Sequence, residues 1–161
     1  MPVDGLELAI FFLIPLGILG LLFVHELGHA VPILVAGGRA HITVGSHDGW
    51  TAAFGRLSVT IGMDGLWSLF TYGYIEWDGV ESRFALAAGI LGGPFVTLSV
   101  VGTLCVLLVR GVEGPFFWVL LNLLVSESYR AYQTILPKTY SRGPYEGQPS
   151  DGKRFKQLLW S

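Results

Sequence analysis

Two histidines and a glutamate near the start of the chain could together bind a metal ion and use it. His25 and His29 are four residues apart, so in an α-helix they project from one face, one turn above the other. Two imidazoles in this arrangement can hold a zinc ion, and the intervening Glu26 can reach a water molecule bound to that ion. The spacing therefore predicts His25 and His29 as metal ligands and Glu26 as a catalytic base.

The sequence on both sides of this motif is apolar enough to lie inside a membrane. Residues 6–24 are almost wholly apolar, and residues 30–36 contain no charged side chain. Ionisable residues at such depth are costly and rare, so they mark a functional site by default. Two core histidines with one paired glutamate are the alternative interpretation, which the specificity of the motif disfavours.

The composition is typical of a membrane protein with a single domain. Of the 161 residues, 52% are hydrophobic and 14% are charged, whereas globular chains carry about 25% charged residues. The formal net charge of −2 provides no attraction for nucleic acid, so we expect no nucleic-acid partner. Cys105 is the only cysteine, which excludes an internal disulfide and a cysteine-based zinc site. The first apolar segment is too long for a signal peptide, so we expect a retained span.

We predict a membrane α-helical fold with about three transmembrane helices, in one domain that covers the whole chain from residue 1 to residue 161. The spans are predicted near residues 6–36, 84–109 and 115–135. A short amphipathic helix is predicted at residues 151–160, after a connector rich in proline, glycine and serine.

The segment between the first two spans, residues 40–83, has a different pattern. Polar and apolar side chains alternate at residues 41–44 and 56–61, as they do in half-buried strands. Glycines punctuate the segment as turns do, and its second half is rich in tyrosine and tryptophan, which favour the headgroup level of a bilayer. We therefore expect a small β-sheet at the membrane interface.

Small residues predict where the helices approach one another closely. In the second span, Ala88 with Gly92 and Gly89 with Gly93 fit the small-xxx-small pattern of tightly packed membrane helices. Gly28, within the histidine motif, can serve the same purpose on the first span.

Basic residues divide unevenly between the two ends of the three predicted spans. With the N-terminus outside, the outer side receives only Arg110, and the inner side receives nine basic residues: Arg39, Arg56, Arg83, Arg130, Lys138, Arg142, Lys153, Arg154 and Lys156. This asymmetry follows the positive-inside rule. It predicts a multi-pass integral membrane protein with the histidine motif toward the cytoplasmic side.

Two histidines leave a tetrahedral metal site one protein ligand short once a catalytic water is counted. Val35 stands ten residues after His25, so the histidine of the metzincin spacing is missing. Glu127 is a candidate because it lies on a predicted span, and Asp151 could be either a ligand or the N-cap of the terminal helix. Gly152 would let the backbone approach the first helix closely. The other candidates are His41, His47, Asp64, Glu76 and Asp78.

These residues resemble the site-2 protease family of intramembrane zinc metalloproteases, in its short branch without a PDZ domain. The resemblance covers most of the chain, and its strongest element is His25-Glu26-Leu27-Gly28-His29. Further segments similar to family motifs are Gly92-Gly93-Pro94-Phe95-Val96-Thr97, Val44-Gly45-Ser46-His47, Gly55-Arg56-Leu57, Asn122-Leu123-Leu124 and Ser150-Asp151-Gly152. The chain departs from the family at Val125, where proline is frequent, and at Asp151, which opens a short terminal helix and not a full span.

The resemblance implies a metalloendopeptidase that hydrolyses peptide bonds in or near transmembrane segments of other membrane proteins, as in regulated intramembrane proteolysis. It implies Zn²⁺ bound by His25, His29 and Asp151, and Glu26 as the catalytic residue. Asn122, on the third predicted span, could contact the substrate or could hydrogen-bond to a neighbouring helix. The implied partners are a transmembrane protein substrate and the lipid bilayer.

A helical substrate hides its carbonyl groups, so it must be presented in an extended form. The strand predicted at residues 56–61 could supply this by β-augmentation, or it could only cover the cavity. The sequence carries no indication of the oligomeric state.

Two other classes of function remain open from the sequence. A catalytically silent membrane chaperone or regulator could retain the metalloprotease fold, although the intact Glu26 argues against it. A metal-binding membrane module, such as a transporter fragment, is the other class; three spans with one site near one face offer no path through the membrane. Cleavage assays and metal flux in liposomes separate these classes from a protease.

Overall fold

The computed structural model describes residues 5–46, 48–62 and 72–160. Within these ranges the chain forms four helices and four strands. In chain order they are α1 (Gly5–Val35), β1 (Arg39–Gly45), β2 (Gly49–Phe54), β3 (Leu57–Gly62), β4 (Gly73–Asp78), α2 (Arg83–Val109), α3 (Pro115–Ile135) and α4 (Asp151–Trp160). The predicted helices and the predicted small sheet are therefore present, and each helix begins and ends close to its predicted bounds.

Two helices of the described part are long and apolar enough to cross a membrane. They are Phe12–Val35 of α1 and the whole of α2, with mean hydropathies of 1.8 and 2.0. The helix α3 forms where it was predicted, but polar side chains in its second half, including Glu127 and Arg130, leave it less apolar. The structure thus gives two candidate spans where three were expected, and the three-span topology stays a prediction.

Glycines bring α1 and α2 into backbone contact beside the histidine motif. A β-carbon at Gly28 would lie 2.7 Å from the carbonyl oxygen of Gly92, and one at Gly92 would overlap the carbonyl group of Gly28. A β-carbon at Gly89 would lie 2.8 Å from the side chain of Ile33 on α1. Because membrane helices associate through such close packing, the predicted small-residue pattern is confirmed as an α1–α2 contact.

The four strands form one mixed sheet in the order β2-β3-β1-β4. The strand β1 is parallel to β3 and antiparallel to β4, and β2 is antiparallel to β3. The alternation at residues 41–44 and 56–61 predicted β1 and β3. Since β3 has a neighbour on each side, it offers no free edge. Of the two roles considered for residues 56–61, β-augmentation is therefore wrong. Among the described strands, the free edges belong to β2 and β4.

One face of the sheet packs on α1. Ile42 and Val44 of β1 and Ile75 of β4 are buried in one cluster with Leu22 and Ala30 of α1. Residues between these on β1 point to the opposite face, because strand side chains alternate. The sheet is thereby fixed against the stretch of α1 that carries the histidine motif.

The sheet and α4 lie at the same end of the helices. The chain leaves α1 into β1 and enters α2 from β4, while the short connection between α2 and α3 lies at the opposite end. The guanidinium of Arg83 at the start of α2 donates to the carbonyl oxygen of Leu158 on α4 at 2.5 Å. The predicted charge asymmetry requires this arrangement, because it counts the basic residues of the sheet and of α4 on the same side of the membrane.

Candidate metal centre

Side chains from two helices far apart in the chain converge at the candidate metal centre. His25 and His29 lie on α1, Asp151 is the first residue of α4, and one ligand atom from each lies within 4.8 Å of the others. Nε2 of His25 is 3.3 Å from Nε2 of His29, and Oδ2 of Asp151 is 3.8 and 3.5 Å from these two atoms. Ligands of one tetrahedral zinc ion, each at about 2.0–2.2 Å, lie about 3.3–3.6 Å apart. The three side chains could therefore hold a metal ion.

The helix α2 holds the far side of both imidazoles. Nδ1 of His29 lies 2.7 Å from the carbonyl oxygen of Gly89, which can only accept, so Nδ1 carries the proton and Nε2 presents its lone pair. The Gly93 amide is farther from the same nitrogen, at 3.4 Å. Nδ1 of His25 lies 2.7 Å from Oγ1 of Thr97. Partners of this kind fix the orientation of metal-binding histidines and raise their basicity.

Sequence reasoning assigned no role to Thr97. Thr97 is only the last residue of the family-like segment that begins at Gly92. Its signal was its position, because Thr97 follows Gly93 by one helical turn and so lies on the face that approaches α1. In the structure Thr97 is 1% exposed, which makes its contact with His25 a buried one.

Gly93 leaves room for the ring of His29, and this predicts a large effect of a small substitution. A β-carbon at position 93 would overlap the imidazole. Gly93→Ala is therefore expected to displace His29, to weaken metal binding by the candidate group and to destabilise the fold by about 1–3 kcal/mol. Gly102→Ala on the same helix is the matched control, because a β-carbon there has no described neighbour within 4 Å. Metal titration and thermal unfolding measure the two effects; equal stability and equal metal affinity in the two variants would contradict the contact.

Asp151 is the first residue of α4, and Ser150 caps the start of this helix. Ser150 is 1% exposed, and its hydroxyl accepts a hydrogen bond from the Lys153 amide at 3.3 Å and donates to the carbonyl oxygen of Leu136 at 2.5 Å. Ser150 therefore provides the N-cap of α4, and the interpretation of Asp151 as the N-cap is wrong. The Asp151 carboxylate instead faces the two histidines.

Gly152 allows α4 to start against the end of α3. A β-carbon at Gly152 would overlap the carbonyl oxygen of Ile135 and would lie 3.3 Å from the carbonyl carbon of Leu136. The expected close approach of Gly152 to the first helix is therefore wrong. Gly152 instead lets α4, the helix that carries Asp151, start in close contact with the end of α3.

Glu127, the rival third ligand, is engaged elsewhere. Its side chain is 1% exposed, and Oε1 lies 3.3 Å from Nη1 of Arg130, one turn along α3. Among the described side chains, the group that could hold a metal comprises His25, His29 and Asp151 without Glu127.

The remaining candidates lie on the sheet or outside the described residues. Nδ1 of His41 is 2.6 Å from the hydroxyl of Ser58, and Nε2 is 3.2 Å from that of Thr60. Both ring nitrogens of His41 are therefore occupied by hydrogen bonds within the sheet. Glu76 and Asp78 are exposed on β4. His47 and Asp64 lie outside the described residues.

Glu26 lies next to the three candidate ligands and shares a cavity with them. The cavity has a volume of about 430 Å³, within the usual range of ligand pockets, and Glu26 is 5% exposed in it. Gly73 at the start of β4 gives the glutamate its space, because a β-carbon there would lie 2.7 Å from Oε1 of Glu26. The glutamate thus lies close to the start of β4, where a larger residue than glycine would not fit.

The rest of the cavity is lined by α3, by the segment before α4 and by α4 itself. These elements contribute Arg130, Tyr140, Tyr145 and Arg154. Asn122 does not line the cavity: its side chain is exposed, and Nδ2 donates to the carbonyl oxygen of Trp118 at 2.8 Å. The structure does not bring Asn122 to the candidate metal centre, and its contact with a substrate stays a prediction.

Comparisons of the chain with protein-family models, with curated protein sequences and with solved structures found no match. The described residues form a His25–His29–Asp151 group that could hold a metal ion, beside a buried glutamate; both histidines lie on a helix apolar enough to cross a membrane.

Proposed function

We propose that the chain is a zinc-dependent intramembrane endopeptidase of the site-2 protease kind. It hydrolyses peptide bonds in or near transmembrane segments of other membrane proteins. The observation that carries this proposal is the convergence of His25, His29 and Asp151 beside Glu26 in one cavity.

The donor set suits catalytic zinc. Two imidazole nitrogens and one carboxylate oxygen are a ligand set of zinc hydrolases, and three protein ligands leave one coordination position for the reaction. When bound, zinc would polarise the scissile carbonyl group and lower the pKa of a water molecule. The contacts of His25 with Thr97 and of His29 with Gly89 hold the imidazoles ready for this ion.

Glu26 supplies the proton transfers. Its carboxylate accepts a proton from the attacking water and passes it to the nitrogen of the leaving amine. The side chain is buried and lies one residue from His25, so it acts beside the ligands without being one of them. Positioned acid–base groups of this kind contribute about 10²–10⁴-fold to a rate.

The free edge of β4 can present a substrate in extended form. Both backbone groups of Gly73 bond to the hydroxyl of Tyr145 and not to β1. In an antiparallel pair the backbone groups of alternate residues point to the same side, so those of Ile75 and Trp77 also point to the free edge. Gly73 and Ile75 line the metal cavity as well. A segment added to β4 would therefore pass beside Glu26.

We also propose that α3 is a third transmembrane span and that the candidate metal centre lies toward the cytoplasmic side of the membrane. The buried residues of α3 are Val119, Glu127 and Ala131, so its acidic side chain turns toward the other helices. Its outward positions include Trp118 and Val125, with exposures of 60% and 62%. A helix whose ion pair is turned toward the neighbouring helices can cross a bilayer beside two others.

Cysteine labelling tests this topology. In a Cys105→Ala background, Glu113→Cys lies in the connection between α2 and α3, and Ser141→Cys lies in the segment before α4; both positions are exposed. A membrane-impermeant thiol reagent added outside intact cells is expected to label position 113 and to spare position 141. The reverse pattern would overturn the cytoplasmic placement of the site.

Reconstitution tests the proposed activity. Zinc-loaded protein is placed in liposomes with a single-span test substrate, and mass spectrometry locates any cut, which is expected in or near the span. A substrate that is bound but stays intact would indicate the catalytically silent chaperone or regulator. Zinc flux into sealed liposomes without cleavage would indicate a transport module.

A further inference from the structure

A closed loop between α3 and α4 reaches the free edge of β4. The two arms of the loop pair with each other: the Tyr140 amide donates to the carbonyl oxygen of Gln148 at 3.0 Å, and the Ser150 amide donates to that of Lys138 at 2.9 Å. We call residues 138–150 the tyrosine loop. These bonds hold the two arms of the loop together, and Tyr145 lies between them.

Tyr145, on the tyrosine loop, makes both hydrogen bonds that a pairing strand would make with Gly73. Its hydroxyl accepts from the Gly73 amide at 2.7 Å and donates to the Gly73 carbonyl oxygen at 2.6 Å. Burial raises the pKa of Tyr145, which keeps the hydroxyl protonated so that it can donate and accept together. The ring packs against Tyr72 and Tyr140, with centroids 5.1 and 5.4 Å away.

Tyr145 occupies the β4 edge at Gly73, beside the catalytic glutamate. A β-carbon at Gly73 would lie 2.7 Å from Oε1 of Glu26, and both residues line the cavity of the candidate metal centre together with Tyr145. An extended segment cannot bond to the backbone of Gly73 while one hydroxyl satisfies both of its groups. Access to the edge at the metal centre therefore requires that Tyr145 leaves.

We propose that Tyr145 is a latch that closes the β4 edge, and that an extended peptide segment of the substrate displaces it and pairs with Gly73. This inference rests on the proposed function and adds its regulation. An extended segment that replaces Tyr145 restores both hydrogen bonds to Gly73, so the number of hydrogen bonds at Gly73 does not change. A segment that stays helical has no free backbone groups to offer, so it leaves the latch closed.

The test removes only the latch hydroxyl. Tyr145→Phe keeps the ring and deletes both hydrogen bonds to Gly73, each worth about 2- to 10-fold in an equilibrium. Amide hydrogen exchange at Gly73 is expected to accelerate by about 5- to 50-fold. The initial rate of cleavage of a single-span substrate is expected to rise as well. Tyr132→Phe on α3 is the matched control; this exposed tyrosine lies outside the cavity and should change neither quantity.

Amide exchange at Gly73 and cleavage of the substrate test the latch and the proposed protease activity separately. Faster Gly73 exchange in Tyr145→Phe, with no cleavage by any variant including the wild type, supports the latch and rejects the proposed function. Cleavage by the wild type with unchanged Gly73 exchange in Tyr145→Phe overturns the latch and leaves the protease. Faster exchange with slower cleavage also overturns it, because Tyr145 would then assist the reaction directly.

A measurement without a tyrosine variant covers the case in which Tyr145→Phe does not fold. Glu26→Gln protein should bind a substrate without cleaving it, and the tyrosine loop should then leave the edge. Trypsin cleavage after the exposed Arg142 is expected to accelerate when substrate is added. An unchanged rate at a saturating substrate concentration would overturn the latch.

Discussion

Replacing Glu26 by glutamine is expected to abolish peptide hydrolysis and to leave zinc bound. Glutamine has nearly the same shape, so it fits the space that Gly73 leaves at the start of β4. An amide cannot accept the proton of the attacking water, and the rate should fall by about 10²–10⁴-fold or more. The candidate ligand group does not include Glu26, so the metal content should not change. Cleavage and zinc are measured on the same reconstituted preparation.

The matched control is Glu113→Gln. Glu113 is exposed in the connection between α2 and α3, at the end opposite the sheet, so the same chemical change there should preserve both activity and zinc. Normal turnover by Glu26→Gln would remove its assignment as the base. Loss of zinc together with activity would mean that Glu26 is a ligand or supports one.

The second large effect is expected from Asp151→Asn. The substitution keeps the size of the side chain but replaces a charged oxygen ligand with a neutral amide. Loss of a supporting partner alone costs about 10–100-fold in metal affinity, so loss of the ligand should exceed 100-fold. Cleavage should disappear with the metal. A zinc titration with a competing chelator measures the affinity of each variant.

Glu127→Gln is the matched control for Asp151→Asn. Both changes convert a carboxylate into an amide, but Glu127 is paired with Arg130 and lies outside the candidate ligand group. The Glu127 variant should lose some stability, because Arg130 loses its partner, and should keep its zinc affinity. If Glu127→Gln loses zinc affinity and Asp151→Asn keeps it, Glu127 is the third ligand, and the role that the resemblance to site-2 proteases implies for Asp151 is wrong.

The helices of this fold could be predicted from sequence because their signals are local. Long apolar runs and the glycine–proline breaks between them located α1, α2 and α3. The polar second half of α3 limited this prediction, because periodicity shows that a helix forms but not whether it crosses a membrane. That decision depends on which side chains the neighbouring helices cover, as they cover Glu127.

The order of the strands could not be predicted from sequence. Alternating side chains located β1 and β3, but alternation is the same in a central strand and in an edge strand. Residues 56–61 could therefore be given two roles from the sequence, β-augmentation or cover of the cavity, and the sheet order shows that they lie inside the sheet. Only the pairing with β1 shows that β4 is the edge beside the cavity of the candidate metal centre.

Some residues of the candidate site could be predicted from local sequence, and others depend on how distant elements pack. His25, Glu26 and His29 follow from spacing within one helix, so their arrangement is fixed by helix geometry. Asp151 was selected through a family resemblance, because no local rule relates α4 to α1. The contacts of Thr97 and Tyr145 depend on how the elements pack, and no signal within their own segments stated what they would contact.

The most direct test of the central claim is a zinc titration of cleavage activity. The reconstituted wild-type protein is stripped with a chelator, zinc is added back in steps, and bound zinc and cleavage of a single-span substrate are measured at each step. The account predicts no cleavage without metal, and activity that rises with bound zinc and saturates at about one zinc ion per chain. Cleavage that survives the removal of metal, or a chain that binds one zinc ion at His25, His29 and Asp151 and cleaves no membrane substrate, would contradict it.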